Sequence, residues 1–223
     1  MGNRIPGEVS MKRASAIVVT VALLGSATTA LGQFDPYDPQ TWPIESIVNS
    51  PHNLNNYPGV EIELNQVCLP CHVPHNALQA GEENVLWNHA ETQETFQMYH
   101  NEAGQPEGTS KKCLSCHDGV TAIDSYGGKQ GNVVIDPDSP ANLGTDLSND
   151  HPIGIEYPAP GEDFNDPNEF MTRGKALGVR LIELQGVERV ECSSCHNPHN
   201  PGLGKFLRAP LEESVICLEC HNK

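Results

Sequence analysis

The chain has 223 residues, which is enough for one ordinary domain or two small ones. Its formal net charge of −16 argues against a nucleic-acid-binding protein, because a polyanion needs a basic face. Aromatic residues make up only 5% of the chain. Long apolar runs are absent beyond the N-terminal segment, so the polypeptide alone would bury a small core and something else must fill the interior.

The N-terminal segment has the pattern of an export signal. Lys12 and Arg13 form a positive start, residues 16–25 form a short apolar run, and residues 30–32 suit a cleavage site. A membrane anchor is the weaker interpretation, because a span requires about 18 apolar residues. We expect residues 1–32 to be removed on export, which leaves no transmembrane segment. Losing three basic residues and one acidic residue moves the formal net charge from −16 to −18.

Regular secondary structure is expected to be sparse, because 18 prolines and 20 glycines punctuate the chain. In chain order, we expect a helix over residues 91–100 and another over 166–175, where Asp166 is the cap and Pro167 the first helical residue. Residues 179–184 and 187–191 flank a Gln-Gly pair and predict a β-hairpin. The predicted fold class is therefore mostly irregular, with short helices and a small β-hairpin.

The eight cysteines form four pairs of one type, each a C-x-x-C followed by histidine. These motifs are Cys68, Cys71 and His72; Cys113, Cys116 and His117; Cys192, Cys195 and His196; and Cys217, Cys220 and His221. The spacing is that of c-type haem attachment. Two intervening residues direct both sulfurs to one porphyrin edge, and the histidine that follows can bind the iron. The sequence predicts four haem c groups, each at a short helix or turn, which supply the missing apolar bulk as a stack of four haems.

Three other uses of paired cysteines are less consistent with this pattern. Exported proteins often form disulfides, and two C-x-x-C pairs can bind a structural zinc, but neither requires a histidine after each pair. A thioredoxin-like redox motif occurs once, in a βαβ context. Histidine accounts for only 10 of the 223 residues, so chance does not place it after all four pairs.

Each iron has a second axial position, and its ligand separates electron transfer from chemistry at the iron. A methionine ligand would raise the reduction potential, but beyond residue 32 the chain has only Met98 and Met171, too few for four haems. Bis-histidine ligation is therefore expected, because six further histidines are present. They are His52, His75, His89, His100, His151 and His199.

An internal repeat selects four of these six histidines. The segment CLPCHVPHN at 68–76 recurs as CSSCHNPHN at 192–200, each preceded by a histidine beside a proline and followed by a second haem motif. Each half then holds two haems and two spare histidines. The predicted distal ligands are His52, His75, His151 and His199, with His89 and His100 in reserve. Of the two reserves, His89 beside Trp87 is the stronger substitute.

The short spacing within the repeat has a physical consequence. His75 follows His72 by three residues, which span at most about 10 Å even when extended, so the two cannot bind opposite faces of one haem. His75, and likewise His199, must serve a neighbouring iron and thereby bring two haems close together. Pro74 and Pro198 restrict the residue before them to extended conformations and stiffen this connection.

The repeat also predicts the domain organisation. Residues 33–130 form a first half with two haems, and residues 131–223 form a second. Because haem contacts would cross the boundary, we expect one continuous haem-packed unit.

Five segments carry a resemblance to a known family: SPHNL, CLPCHVPHN, KKCLSCHDGVTAID, LSNDHPIG and VECSSCHNPHNPGLGKFLRAP. They resemble the tetrahaem and other multihaem cytochromes with doubled C-x-x-C-H motifs, which are loosely classed with the cytochrome c3 family. The resemblance implies a periplasmic or extracellular electron carrier with bis-histidine haems. The chain is also similar to tetrahaem members that form extracellular filaments, or nanowires, in which a histidine of one subunit can ligate a haem of the next. This similarity makes His52 the candidate for an inter-subunit donor.

The predicted function is electron transfer without catalysis, with redox proteins as donors and acceptors. A soluble carrier and a homopolymeric filament subunit both remain open. The alternative from another class is a multihaem oxyanion reductase with one open haem site. All four motifs end in histidine and spare histidines exceed demand, which argues against it. A structural or sensory haem protein is a third alternative.

Overall fold

The computed structural model describes residues 1–2, 43–75, 77, 85–99, 104–168 and 178–222. The chain divides into two compact units, Met1–Gly32 and Gln33–Lys223, and the second contains all eight cysteines. The predicted export signal falls almost entirely outside the described residues, as does most of the helix expected over 166–175. Within the described ranges, no helix has the length and apolar character needed to cross a membrane.

Regular secondary structure in the described part of the second unit consists of short elements. The helices are α1 (Gly108–His117), α2 (Cys192–Cys195) and α3 (Val215–Leu218), and the strands are β1 (Ile155–Glu156), β2 (Ile182–Leu184) and β3 (Val187–Val190). Short 3-10 turns cover Ile47–Asn49, Leu54–Asn56, Glu63–Asn65 and Glu212–Ser214. The prediction of short helices and a small antiparallel β-element is thereby confirmed over the described residues.

The predicted hairpin forms and gains a third strand. Gln185 and Gly186 have φ angles of 54° and 78°, as both central residues of a type I′ turn require. β2 and β1 pair antiparallel with opposite sides of β3, so the strand order is β1-β3-β2. β3 ends at Val190, two residues before the third C-x-x-C-H motif begins. The sheet therefore fixes where α2 starts.

α1 carries the second motif in its last turns and ends at His117. The C-cap Asp118 donates its N–H to the carbonyl of Leu114, and its carboxylate accepts a hydrogen bond from the Val120 N–H at 2.9 Å. Gly119 follows with a φ of 71°, the left-handed conformation that glycine adopts readily at a helix end. The sequence His-Asp-Gly thus stops the helix directly after the motif histidine.

The helix predicted over residues 91–100 is wrong where the structure describes it, because residues 91–98 form no helix. The side chain of Gln105 bonds both backbone groups of Phe96, at 2.8 and 2.9 Å. Gln97 pairs with another segment through an isolated parallel β-bridge. Lateral partners therefore occupy backbone groups that a helix would have used.

Three small apolar groups form the core of the described residues. They are Val60, Ile62, Ile123, Tyr126 and Ile135; Phe96, Met98, Leu114 and Leu147; and Tyr157, Val179, Leu181, Val190, Ala209, Val215 and Ile216. Each lies at a C-x-x-C-H motif: Cys116 packs on the first group, Leu114 belongs to the second motif itself, and Cys195 and Cys220 pack on the third group. Ile135 lies beyond the boundary predicted at residue 130, yet it packs with residues of the first half.

Candidate haem-attachment sites

One helical turn brings each motif histidine beside its cysteines. In the second motif this turn belongs to α1. In the others, the histidine N–H donates to the carbonyl of the first cysteine: His72 to Cys68 at 2.8 Å, His196 to Cys192 at 3.0 Å and His221 to Cys217 at 2.9 Å. All eight cysteines lie in the described residues and carry free thiols. Among the residues described, no group of three or more His, Cys, Asp or Glu side chains is arranged to hold a metal ion.

A short backbone clamp holds the first and third motifs in the same way. His72 forms an isolated antiparallel bridge with Trp87, and His196 forms one with Leu207. Flanking backbone hydrogen bonds measure 3.0 and 3.0 Å in the first motif and 2.6 and 2.8 Å in the third. The residue before each bridge partner has a positive φ, 52° and 58° respectively. The internal repeat of the sequence is therefore also a repeat of the structure.

The fourth motif has the same clamp, contributed by an earlier segment. His221 forms an antiparallel bridge with Phe164, and the N–H of Asn165 donates to the carbonyl of Cys220 at 2.9 Å. In the first and third motifs the clamping segment follows the motif in sequence, whereas here it comes before. Because of this reversed order, the clamp of the fourth motif is not part of the repeat visible in the sequence.

One side chain in each clamp donates to the carbonyl of the residue after the first cysteine. These bonds are Asn88 Nδ2 to Leu69 at 2.7 Å, Arg208 Nε to Ser193 at 2.8 Å and Asn165 Nδ2 to Leu218 at 2.9 Å. We call these three donors the clamp side chains. Sequence reasoning missed them, because isolated asparagines and an arginine at unequal distances from the motifs carry no pattern.

Backbone carbonyls orient the histidine rings. Motif histidines donate from Nδ1: His72 to Val85 at 2.5 Å, His117 to Ala141 at 2.7 Å and His196 to Lys205 at 2.7 Å. Two predicted distal ligands do the same: His52 to Pro198 at 3.2 Å and His151 to Pro152 at 3.1 Å. Because the proton lies on Nδ1, the Nε2 lone pair is left for a metal, as in metal-binding imidazoles generally.

Three motif histidines face a histidine from outside the motifs. The ring centroids are 6.0 Å apart for His72 and His199, 6.1 Å for His117 and His52, and 6.3 Å for His221 and His151. With a metal–nitrogen bond of about 2.0 Å and a nitrogen about 1.1 Å from its ring centroid, the centroids of two imidazoles on opposite sides of one metal lie about 6.2 Å apart. The residues present therefore fit a bis-histidine haem at three of the four motifs.

His52 is held against the segment that follows the third motif. Its ring stacks on Phe206 with centroids 4.2 Å apart and planes 13° apart. The N–H of Glu45 donates to Asn200 Oδ1 at 3.0 Å and ties the preceding segment to the same loop. Burial is the main cause that lowers the pKa of His52 from 6.5 to about 4. The imidazole is therefore neutral near pH 7, which is the form that binds iron.

Two other candidate ligands are placed differently. His75, predicted as a distal ligand, is exposed. His89, a reserve candidate, is only 1% exposed, and burial lowers its pKa. Its Nδ1 donates to the carbonyl of Ala90 at 2.7 Å, and its Nε2 lies 3.5 Å from the Cys116 sulfur. His89 is therefore packed beside an attachment cysteine of the second motif.

The motif histidine of the third motif borders a cleft. The cleft has a volume of about 210 Å³, and His196 lines it together with Met98, Tyr99 and His151. His100 follows Tyr99 in the sequence but lies outside the described residues. The distal ligand opposite His196 stays a prediction: the repeat suggests His75, and His89 and His100 are the reserve candidates.

Comparison with known proteins identifies one related family. A family model described as "Doubled CXXCH motif" matches residues 185–223, which contain the third and fourth motifs. A comparison with curated proteins finds no significant match. The family match supports a relation to multihaem c-type cytochromes. It indicates covalently bound haem c and an electron-transfer role for the matched motifs.

Proposed function

We propose that this protein transfers electrons through four covalently attached c-type haems with bis-histidine ligation. The observation that carries the proposal is the set of three histidine pairs with ring centroids 6.0 to 6.3 Å apart, each joining a motif histidine to one from outside the motifs. A bound haem supplies the one-electron couple between ferric and ferrous iron. The chain supplies paired thiols for attachment, imidazoles with the proton held on Nδ1, and backbone clamps that fix both.

The same pairs support an assignment of three distal ligands. His199 is assigned to the iron at His72, His52 to the iron at His117, and His151 to the iron at His221. The first pair agrees with the expectation that a histidine three residues after a motif serves a neighbouring haem, since His199 follows the third motif and faces the first.

His52 is assigned to its own chain rather than to a neighbouring subunit. Its stacking on Phe206 and its hydrogen bond to Pro198 hold the ring beside His117 without a second copy. An exported carrier and a filament subunit are both compatible with this assignment. Electron microscopy of the secreted fraction separates them: uniform filaments support the subunit, and monomers alone support the carrier.

The negative charge of the chain indicates what kind of surface its redox partners use. With a formal net charge of −16 before any haem is counted, we expect redox partners to dock through basic patches. Electron-transfer rates with such a partner should fall as ionic strength rises, because salt screens exposed charges. Rates that do not depend on salt would contradict this expectation.

Haem content tests the proposal. The pyridine haemochrome spectrum, with protein quantified by amino-acid analysis, should give four haems for each chain, and the haem should survive acid-acetone extraction because thioether bonds hold it. Extractable haem, or a lower count in fully matured protein, would contradict four covalent sites.

One observation favours the second candidate, a reductase with one open haem site. Among the described residues, the histidine rings paired across 6.0 to 6.3 Å include the motif histidines His72, His117 and His221 but not His196, so an iron held at His196 could keep one axial position open. A high-spin ferric signal that changes when nitrite is added would support the reductase. An unchanged, purely low-spin spectrum would support the carrier.

A further inference from the structure

We propose that the third motif, residues 192–196, is the junction at which the four attachment motifs meet, and that Glu191 is the residue that positions it. This inference rests on the proposed function, since a junction between attachment sites matters only if haems occupy them. The inference adds a path through the sites: electrons pass between the two halves of the chain through the contact between the second and third motifs.

Hydrogen bonds between side chains and backbone join α1 to α2. Thr109 Oγ1 lies 2.8 Å from Ser193 Oγ, and the N–H of Cys192 donates to Ser110 Oγ at 3.0 Å. Ser110 is fully buried and Ser193 is 6% exposed, so these bonds are shielded from water. The bonded residues are more than 80 positions apart in the sequence. The second and third motifs are therefore fastened together at the start of their helices.

Glu191 completes this connection from a buried position. Its carboxylate accepts hydrogen bonds from the N–H of Ser110 at 3.2 Å and from the N–H of Ser194, and the Ser194 hydroxyl in turn accepts one from the Glu191 N–H. This capping box fixes the first turn of α2. Glu191 is only 1% exposed. One carboxylate thus sets the start of the third motif and binds it to α1.

The connection brings two attachment sulfurs side by side. The side chain of Cys113 lies in hydrogen-bonding contact with the sulfur of Cys192. These cysteines belong to the second and third motifs, so haems attached at them would lie close together. A contact of this kind gives the most direct route between the two halves of the repeat.

The third motif also reaches the other two motifs. Cys195 packs on the same apolar group as Cys220 of the fourth motif. The loop after the third motif places the ring of His199 opposite His72 of the first motif, with centroids 6.0 Å apart. Each of the other motifs therefore has a described contact with the third motif or with the loop that leaves it.

NMR of the fully reduced holoprotein tests the junction directly, because low-spin ferrous haems are diamagnetic. We expect nuclear Overhauser cross-peaks between the β-protons or thioether protons at Cys113 and those at Cys192. Assigned signals from both sites without such cross-peaks would overturn the proposal. Protein that contains no covalent haem would refute the proposed function instead, whereas four haems without the cross-peaks would refute only the junction.

Variants test the role of Glu191. We expect Glu191→Gln and Thr109→Val to weaken the Cys113–Cys192 cross-peaks and the split Soret circular dichroism that arises from adjacent haems, with all four haems retained. Thr121→Val is the matched control, because it removes a 2.7 Å hydrogen bond to Asp118 that lies within the first half. Full cross-peak intensity in Glu191→Gln would show that another residue positions the junction.

Discussion

The ability of each histidine ring to bind a metal depends on which ring nitrogen carries the proton. Backbone carbonyls hold that proton on Nδ1 in His52, His117 and His196, at distances of 3.2, 2.7 and 2.7 Å. The remaining nitrogen is then a ready ligand without the cost of reorienting the ring. Any residue can supply a backbone carbonyl, so the sequence does not show which carbonyl accepts the hydrogen bond from each ring.

The fourth distal ligand gives a prediction for single residues. We expect His100→Ala to convert one haem to a high-spin form and His75→Ala to leave all four low-spin, because the side chain of His75 is exposed and His100 is a reserve ligand suggested by the sequence. Electron paramagnetic resonance of the two oxidised variants measures this. High-spin signal from His75→Ala alone would instead support the assignment made from the repeat.

The charged clamp side chain gives a second prediction. Arg208 occupies the clamp position that Asn88 holds in the first motif, and burial, with the nearby charge of Arg180, lowers the pKa of Arg208 to about 10. A cation beside the third motif favours ferrous iron. We expect Arg208→Asn to lower one midpoint potential on the order of tens of millivolts.

Spectroelectrochemical titration measures this shift. Lys129→Gln is the charge-matched control, because Lys129 lies over the Tyr126 ring, 5.8 Å from its centroid, and is exposed. Equal shifts in both variants would mean that net charge, rather than the clamp position, sets the potential.

The sequence predicts much of the site at the level of residues. The regular spacing identifies all eight cysteines and four motif histidines, and the repeat suggests His52, His151 and His199, which the structure places opposite motif histidines. The clamp side chains were not predictable. Their role depends on which segment returns to each motif, and that is a property of the tertiary structure.

The backbone clamp is the element that recurs. It appears at His72, His196 and His221, although two of the clamping segments follow their motifs and one precedes its motif. A clamp of this kind holds an irregular chain in place without long helices or strands. It explains how a chain with so little regular structure can fix several attachment sites.

Removing one clamp side chain should destabilise its motif. Asn88 is 3% exposed and donates to the Leu69 carbonyl at 2.7 Å. We expect Asn88→Ala to lower the free energy of unfolding by about 1–3 kcal/mol, since the carbonyl of the half-buried Leu69 loses its partner. Guanidinium unfolding of the holoprotein, followed by Soret absorbance, measures the change. Asn132→Ala, at an exposed asparagine, is the control and should change it by less than about 0.5 kcal/mol. Equal losses would contradict the clamp.

The secondary-structure elements also show which features a local sequence pattern can predict. The hairpin was predictable because Gln185 and Gly186 impose a type I′ turn, which is a local property. The absence of a helix over residues 91–98 was not predictable, because Gln105 and the segment near Asp146 occupy backbone groups of that region. The two-residue strand β1 is too short to leave a pattern in the sequence.

At the scale of the whole molecule, the described residues form three small apolar groups beside the four C-x-x-C-H motifs rather than a single large core. Each apolar group contains or contacts a cysteine motif, so folding of the chain and occupation of the motifs are expected to depend on each other. Composition predicted this weak core, since aromatic residues are 5% of the chain. The order in which the motifs meet depends on long-range contacts such as those between α1 and α2, and it was not predictable.

Quantitative low-temperature electron paramagnetic resonance of the fully oxidised protein tests the central claim most directly. Four covalent haems with two histidines each should give low-spin ferric signals that integrate to four spins per chain, with no high-spin component. A high-spin signal in the unmodified protein, or a total well below four spins in samples with full haem content, would contradict bis-histidine ligation at every motif.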